Sequence, residues 1–172
     1  DLEFFVSDFI DYSSEDGAFR KSRIVFVDGV PFACHLAIAD QWKVWYLNAD
    51  MEQNDEKRAE EELFMARFNE DFCKRHAAAF AELVKHVDLE YFGIDCAEDW
   101  DGKLVVFEAD NALIVHDMDP HEVFPYKKPQ MQKVFSAFAG MILSRNAGWP
   151  MQRDVKPGLR EVGIDLTSPD PG

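Results

Sequence analysis

Three carboxylates, Asp95 followed by Glu108 and Asp110, are the residues of this chain best placed to do chemistry. They interrupt two apolar runs, GIDC and VVFEAD, and an Asp-Gly turn lies between them. Glu108 and Asp110 are two residues apart, so on a strand they share one face. If the two runs pair, three carboxylates meet at one edge of a sheet, an oxygen-rich setting that suits a hard cation such as Mg²⁺. Without a cation they would repel one another strongly at short range. A plainer reading stands beside this one: Asp95 caps a turn while Glu108 and Asp110 face water. Asn111 is a weaker candidate ligand.

A second group is cationic. Arg20, Lys21 and Arg23 fall within four residues of an otherwise acidic chain. They could hold phosphate, the arginines through a bidentate fork, or they could be the solvated start of a strand. His35 lies on an apolar run and reads first as a satisfied core histidine. His76 falls on a helical apolar stripe. His116, Asp117, Asp119 and His121 lack a ligand spacing and read as loop residues. The phosphate-loop patterns GxxxxGK[ST] and GxGxxG are absent, as is GxSxG.

These residues need a scaffold. Phe4 to Ile10 reads as extended. Arg23–Val27, the turn Asp28-Gly29 and Val30–Ala37 form the clearest hairpin signal in the chain. Lys43–Leu47 suggests a third strand. Glu56 to Phe68 reads as an amphipathic helix with Ala59, Leu63, Ala66 and Phe68 on its apolar stripe. A second helix, capped by Asn69, carries Phe72, Cys73, His76, Ala79, Phe80, Leu83, Val84 and Val87 at helical spacing. Strands over Glu90–Cys96 and Lys103–Ala109 follow, then a short one at Ala112–Val115. Met118 to Lys128 reads as a loop, and Pro129 opens a last helix to about Ser144. The order predicts an α+β domain, a largely antiparallel sheet packed with helices, over residues 1–145. Residues 146–172 read as a tail, partly disordered.

The 172 residues suit one domain, and 33 acidic against 18 basic residues give a net charge of −15. That charge argues against generic nucleic-acid binding. Cys34, Cys73 and Cys96 have no metal or disulfide spacing and read as small buried thiols. The sequence shows no signal peptide and no membrane-spanning run, so a cytoplasmic protein without a membrane partner is expected.

The order of these motifs resembles the C-terminal half of the ATP-grasp fold, in its ribosomal-protein glutamate-ligase and glutathione-synthetase-like branches. The segments that carry the resemblance are FVSDFID, FRKSRIVFVDGVPFACHLAI, GID and FEAD, spread over Phe4 to Ser144. The resemblance implies an ATP-dependent carboxylate–amine (or thiol) ligase working through an acyl phosphate. It implies Mg²⁺ on Asp95, Glu108 and Asp110, bridging the phosphates of ATP. Asp8, Phe9 and Ile10 would lie at the adenine hinge. Arg23 would stabilise the transferred phosphate, with Arg20 and Lys21 nearby. His35 would line the substrate side, and Asn48 would stand near the reacting carboxylate. Asp110 replaces the Asn usual in the family, which leaves Asn111 open as the third ligand. The chain starts almost at the hinge, so the family's first half, or neighbouring domains, are expected as partners beside ATP and a small-molecule or peptide carboxylate. A homodimer through the surface left open is conceivable. The alternative implied reading is a non-catalytic ATP-grasp-derived binding or scaffold domain of a larger protein.

Overall fold

The computed structural model describes residues 3, 4, 6 and 8–146. It is a mixed α+β arrangement: one four-stranded antiparallel sheet and four α-helices. The strands are β1 (Phe19–Val27), β2 (Val30–Ala39), β3 (Tyr91–Glu98) and β4 (Leu104–Asp110), in the order β2-β1-β3-β4. The helices are α1 (Asp55–Arg67), α2 (Phe72–Arg75), α3 (Ala77–Val87) and α4 (Lys127–Asn146). The expected α+β class with an antiparallel sheet is thus present. Of the expected tail, 146–172, Asn146 is the last residue of α4 and the rest lies outside the described residues, as do Phe5 and Ser7 of the N-terminal segment.

The hairpin β1–β2 turns at Asp28-Gly29, both with positive φ (50° and 79°), as a two-residue turn of that composition demands. Alternate residues of β1 point to opposite faces of the sheet. On one face Phe26 stacks on Phe92 of β3 (4.5 Å between ring centres) and meets Phe80 of α3 edge-on (5.3 Å). On the same side Arg20 reaches Glu60 of α1. The other face carries Lys21, Arg23 and Val25; there Tyr91 meets Phe138 of α4. The main core draws Ile24, Val25, Phe26, Phe92 and Ile94 from the sheet, with Met65, Phe80, Met131 and Val134 from the helices.

Several sequence expectations need correction. Lys43–Leu47 is not a strand; it leads into a 3-10 turn at Tyr46–Asn48. The outer edge of β2 is closed by the Glu61 side chain, which accepts from Leu36 N–H at 3.0 Å. A strand edge needs such cover. Ala112–Val115 is also not a strand. The Asp110 carboxylate accepts from Ala112 N–H at 2.9 Å and turns the chain off the sheet. The described residues of Phe4 to Ile10 form no strand, and the first pairing is the bridge Ser13–Phe19.

The second predicted helix is divided at His76 into α2 and α3, and it starts after Asp71, not at Asn69. The buried His76 ring sits against Phe72 (4.5 Å) and bonds Glu98 at 2.7 Å, which anchors the break to the end of β3. On α1 the buried positions are Glu61 and Met65, and Leu63 is exposed. The apolar stripe is therefore rotated from the one read off the sequence. Helix α4 begins at Lys127, and Pro129 falls in its first turn, where backbone N–H groups have no helical partner.

Candidate functional site

Cross-strand register assembles the site. His35 of β2 pairs with Arg23 of β1, Arg23 with Asp95 of β3, and Asp95 with Glu108 of β4. Directly paired residues point to the same side, so a row of ionisable groups crosses all four strands. Two β-bulges sit on this row. The β1–β2 register shifts between Arg23 and Ile24, leaving Cys34 extra; the β3–β4 register shifts between Asp95 and Cys96, leaving Phe107 extra. Bulges re-aim side chains. Here Cys34 and His35 both line a cleft, while Phe107 packs on Tyr12 at 4.8 Å and leaves Glu108 in the row.

Asp95 is the hub. Its side chain is 3% exposed. Arg23 Nε donates to Oδ1 at 2.8 Å and Arg23 Nη2 to Oδ2 at 3.1 Å. Lys21 Nζ donates to Oδ2 at 3.0 Å. Burial disfavours charge on Asp95, but these bonds outweigh it and hold the carboxyl below its ordinary range. The Arg23–Lys21–Asp95 group keeps one net positive charge.

The cleft beside it, about 360 Å³, is also lined by Tyr46, by Ile114 to His116 and by Lys127. His35 lies against Tyr46, 4.7 Å between ring centres. Its surrounding burial, then the Arg23 and Lys127 charges, push its pKa well below the usual value, so the ring is neutral at pH 7.

A second ionic group closes the far wall. Glu61 is fully buried and accepts from Leu36 N–H (3.0 Å), Tyr46 (3.1 Å to Oε2) and Tyr126 (2.6 Å). Lys127 Nζ is 3.4 Å from Glu61 and 3.4 Å from Asp119. It donates to the Tyr46 hydroxyl and stands 4.0 Å and 4.4 Å from the ring centres of Tyr46 and Phe124. Burial raises the Glu61 pKa against the opposing pull of Lys127 and the two tyrosines, and it raises both tyrosine hydroxyls.

The expected site residues are thus divided. Lys21, Arg23, His35 and Asp95 come together, with Glu108 in the same row. Arg20 lies on the opposite face, bound to Asp16 and Glu60. Asp8, Phe9 and Ile10 are exposed and do not line the cleft; Phe9 meets Trp42 instead. Asn48 is exposed in the 3-10 turn and is not a lining residue.

Asp95, Glu108 and Asp110 do not gather around a vacant point. Both oxygens of Asp95 are taken by cations, and one Asp110 oxygen by Ala112 N–H. Among the described residues no group of three or more His, Cys, Asp or Glu side chains is arranged to hold a metal ion. In this arrangement the three carboxylates do not fit Mg²⁺, because the Asp95 oxygens are already paired with Arg23 and Lys21.

Sequence reasoning missed Glu61, Tyr126 and Lys127. One signal was available: Glu61, Met65 and Phe68 share a helical stripe, and a carboxylate on such a stripe needs partners.

No family model matches the chain, and comparison with curated proteins and with solved structures likewise returns no match. No helix among the described residues is long and apolar enough to cross a membrane.

Proposed function

We propose that the cleft beside Arg23 binds the phosphate end of a nucleotide, and that this chain carries the ATP-binding half of a cytoplasmic ATP-dependent ligase joining a carboxylate to an amine or thiol. The observation that carries the reading is the Arg23–Lys21–Asp95 group. It sets two cations against one buried carboxylate at the centre of a row spanning every strand, with Glu108 as the row's other acid, facing a cleft in a chain of net charge −15. Paired bulges at that row accord with a functional site.

In such a reaction a carboxylate oxygen attacks the γ-phosphorus of ATP, and the bond to the leaving ADP breaks. An amine then attacks the acyl carbon, and phosphate departs with the electron pair of the C–O bond. Arg23 would bear on the first step: the hydrogens on its Nη atoms not used by Asp95 can stabilise charge on the transferred phosphoryl oxygens. Asp95 positions that guanidinium. Lys21 adds positive charge beside it. Neutral His35 can hydrogen-bond a substrate without competing for the anion. No step here is routed through Mg²⁺.

The position of Asp8 to Ile10 away from the cleft favours a second reading, a binding domain that recognises a phosphate or carboxylate and leaves adenine uncontacted. Titration calorimetry with ATP and with adenosine separates the two from each other and from a protein without a nucleotide site. The proposal expects ATP to bind and adenosine to bind weakly. Pyrophosphate binding as tightly as ATP would favour the second reading. No heat with any of the three would overturn both.

A further inference from the structure

Residues 111–126 join β4 to α4 without helix or strand. They cross the sheet face over Gly93, where an added Cβ would stand 2.8 Å from Leu113 Cδ1. A side chain at position 93 would push the Leu113 tip aside, and the Ile24 carbonyl at 3.3 Å leaves little room beside it. Val115 packs against the main core and Phe124 is buried, whereas Ile114 is 70% exposed. Between Ile114 and Asp119 polar ties add to that packing. Arg23 Nη1 donates to the Ile114 carbonyl at 3.2 Å. The Asp119 carboxylate sits 3.4 Å from Lys127 Nζ. Gln132 of α4 donates to Asp117 at 3.1 Å.

The first two ties engage the cations of the cleft itself. Arg23 spends Nε and one Nη2 hydrogen on Asp95 and one Nη1 hydrogen on the Ile114 carbonyl, so a phosphate that engages both Nη1 hydrogens displaces that carbonyl. Lys127 is 4% exposed with Asp119 beside it, so an anion that approaches that ammonium from the cleft competes with Asp119. A main-chain carbonyl and a carboxylate thus stand where ligand oxygens would stand. We propose that residues 111–119 form an autoinhibitory strap, whose Ile114 carbonyl and Asp119 carboxylate occupy Arg23 and Lys127 until a phosphate-bearing ligand displaces both. The inference rests on the phosphate reading of the cleft. It adds Lys127 as a second ligand-binding cation and makes filling of the cleft and release of the strap one event.

Pyrophosphate is the probe, on the full 172-residue chain. Amide hydrogen exchange of residues 112–119 is measured with and without saturating pyrophosphate, and pyrophosphate affinity is measured for wild type and Asp119→Asn. Exchange over 112–119 should rise with ligand while the β1 and β3 amides stay protected. Asp119→Asn should bind pyrophosphate about threefold more tightly, since a partly exposed ion pair no longer competes. Asp101→Asn, in the exposed β3–β4 turn, should bind as wild type does. Binding by wild type with unchanged exchange over 112–119 would overturn the strap and leave the phosphate site standing. So would unchanged affinity in an Asp119→Asn protein that melts as wild type does. Failure of both proteins to bind pyrophosphate would overturn the phosphate site, and the strap with it.

Discussion

Two buried carboxylates of this protein, Asp95 and Glu61, face cationic partners a short distance apart and behave in opposite ways. Asp95 is met by a guanidinium in bidentate geometry and by an ammonium at 3.0 Å, and its pKa falls. Glu61 is met by two hydroxyls, a backbone N–H and an ammonium no closer than 3.4 Å, and its pKa rises. Burial opposes charge on both. The difference lies in how well full cations compensate it. It also divides the labour. The Asp95 group has cation to spare and opens on the cleft. The Glu61 group ties α1, the edge of β2, the Tyr46 turn and the start of α4 into one wall, and meets the cleft through Tyr46 and Lys127.

Truncation separates the two most sharply. Glu61→Ala strands Leu36 N–H, two tyrosine hydroxyls and Lys127 in a buried place, and should cost about 3 to 5 kcal/mol in urea unfolding. Asp95→Ala should cost less, about 2 kcal/mol, because Arg23 and Lys21 are each 18% exposed and can turn to water. Equal costs would erase the distinction between a structural and a functional ion group.

Gly93→Ala tests the strap that lies over the Asp95 group. The new methyl meets Leu113, the Ile24 carbonyl at 3.3 Å and Val25 Cγ2 at 3.3 Å. A loss of about 1 to 3 kcal/mol is expected, with faster amide exchange over 112–119.

The smallest effect concerns pH. The folded pKa of His35 lies well below 6.5, so the unfolded chain binds the proton more readily. Its contribution is complete above about pH 6.5 and is lost as the pH falls toward the folded value. Stability should decline from pH 7 to 5 with a slope from this residue of at most about 1.4 kcal/mol per pH unit. His35→Gln should flatten that slope in urea titrations. An unchanged slope would contradict the lowering of the His35 pKa by burial and by the Arg23 and Lys127 charges.

Much of the sheet was legible because its signals are local. The Asp-Gly turn fixed the first hairpin, and the apolar runs at GID and FEAD marked β3 and β4. Arg23, Lys21 and Asp95 stand out by residue type, His35 enters only through the resemblance, and the strand register brings the four to one face. What could not be read was long-range. Nothing local in KVWYL tells that a glutamate on α1, not a fifth strand, closes the β2 edge. Arg20 and Lys21 are neighbours in sequence, and only the pleat of β1 sends them to opposite faces. The bulges at Cys34 and Phe107 leave no local trace. Glu61 was concealed in the run Glu60-Glu61-Glu62, where the helical stripe alone distinguishes the buried member.

That separation of faces gives the sharpest experiment. Pyrophosphate affinity is measured by calorimetry for wild type, Arg23→Gln and Arg20→Gln. Arg23 faces the cleft, and Arg20 is held on the other side by Asp16 and Glu60. The account predicts about a tenfold or greater loss of affinity for Arg23→Gln, as expected for removing a charged hydrogen-bonding group, and none for Arg20→Gln. Equal losses in both, or full binding by Arg23→Gln, would contradict it.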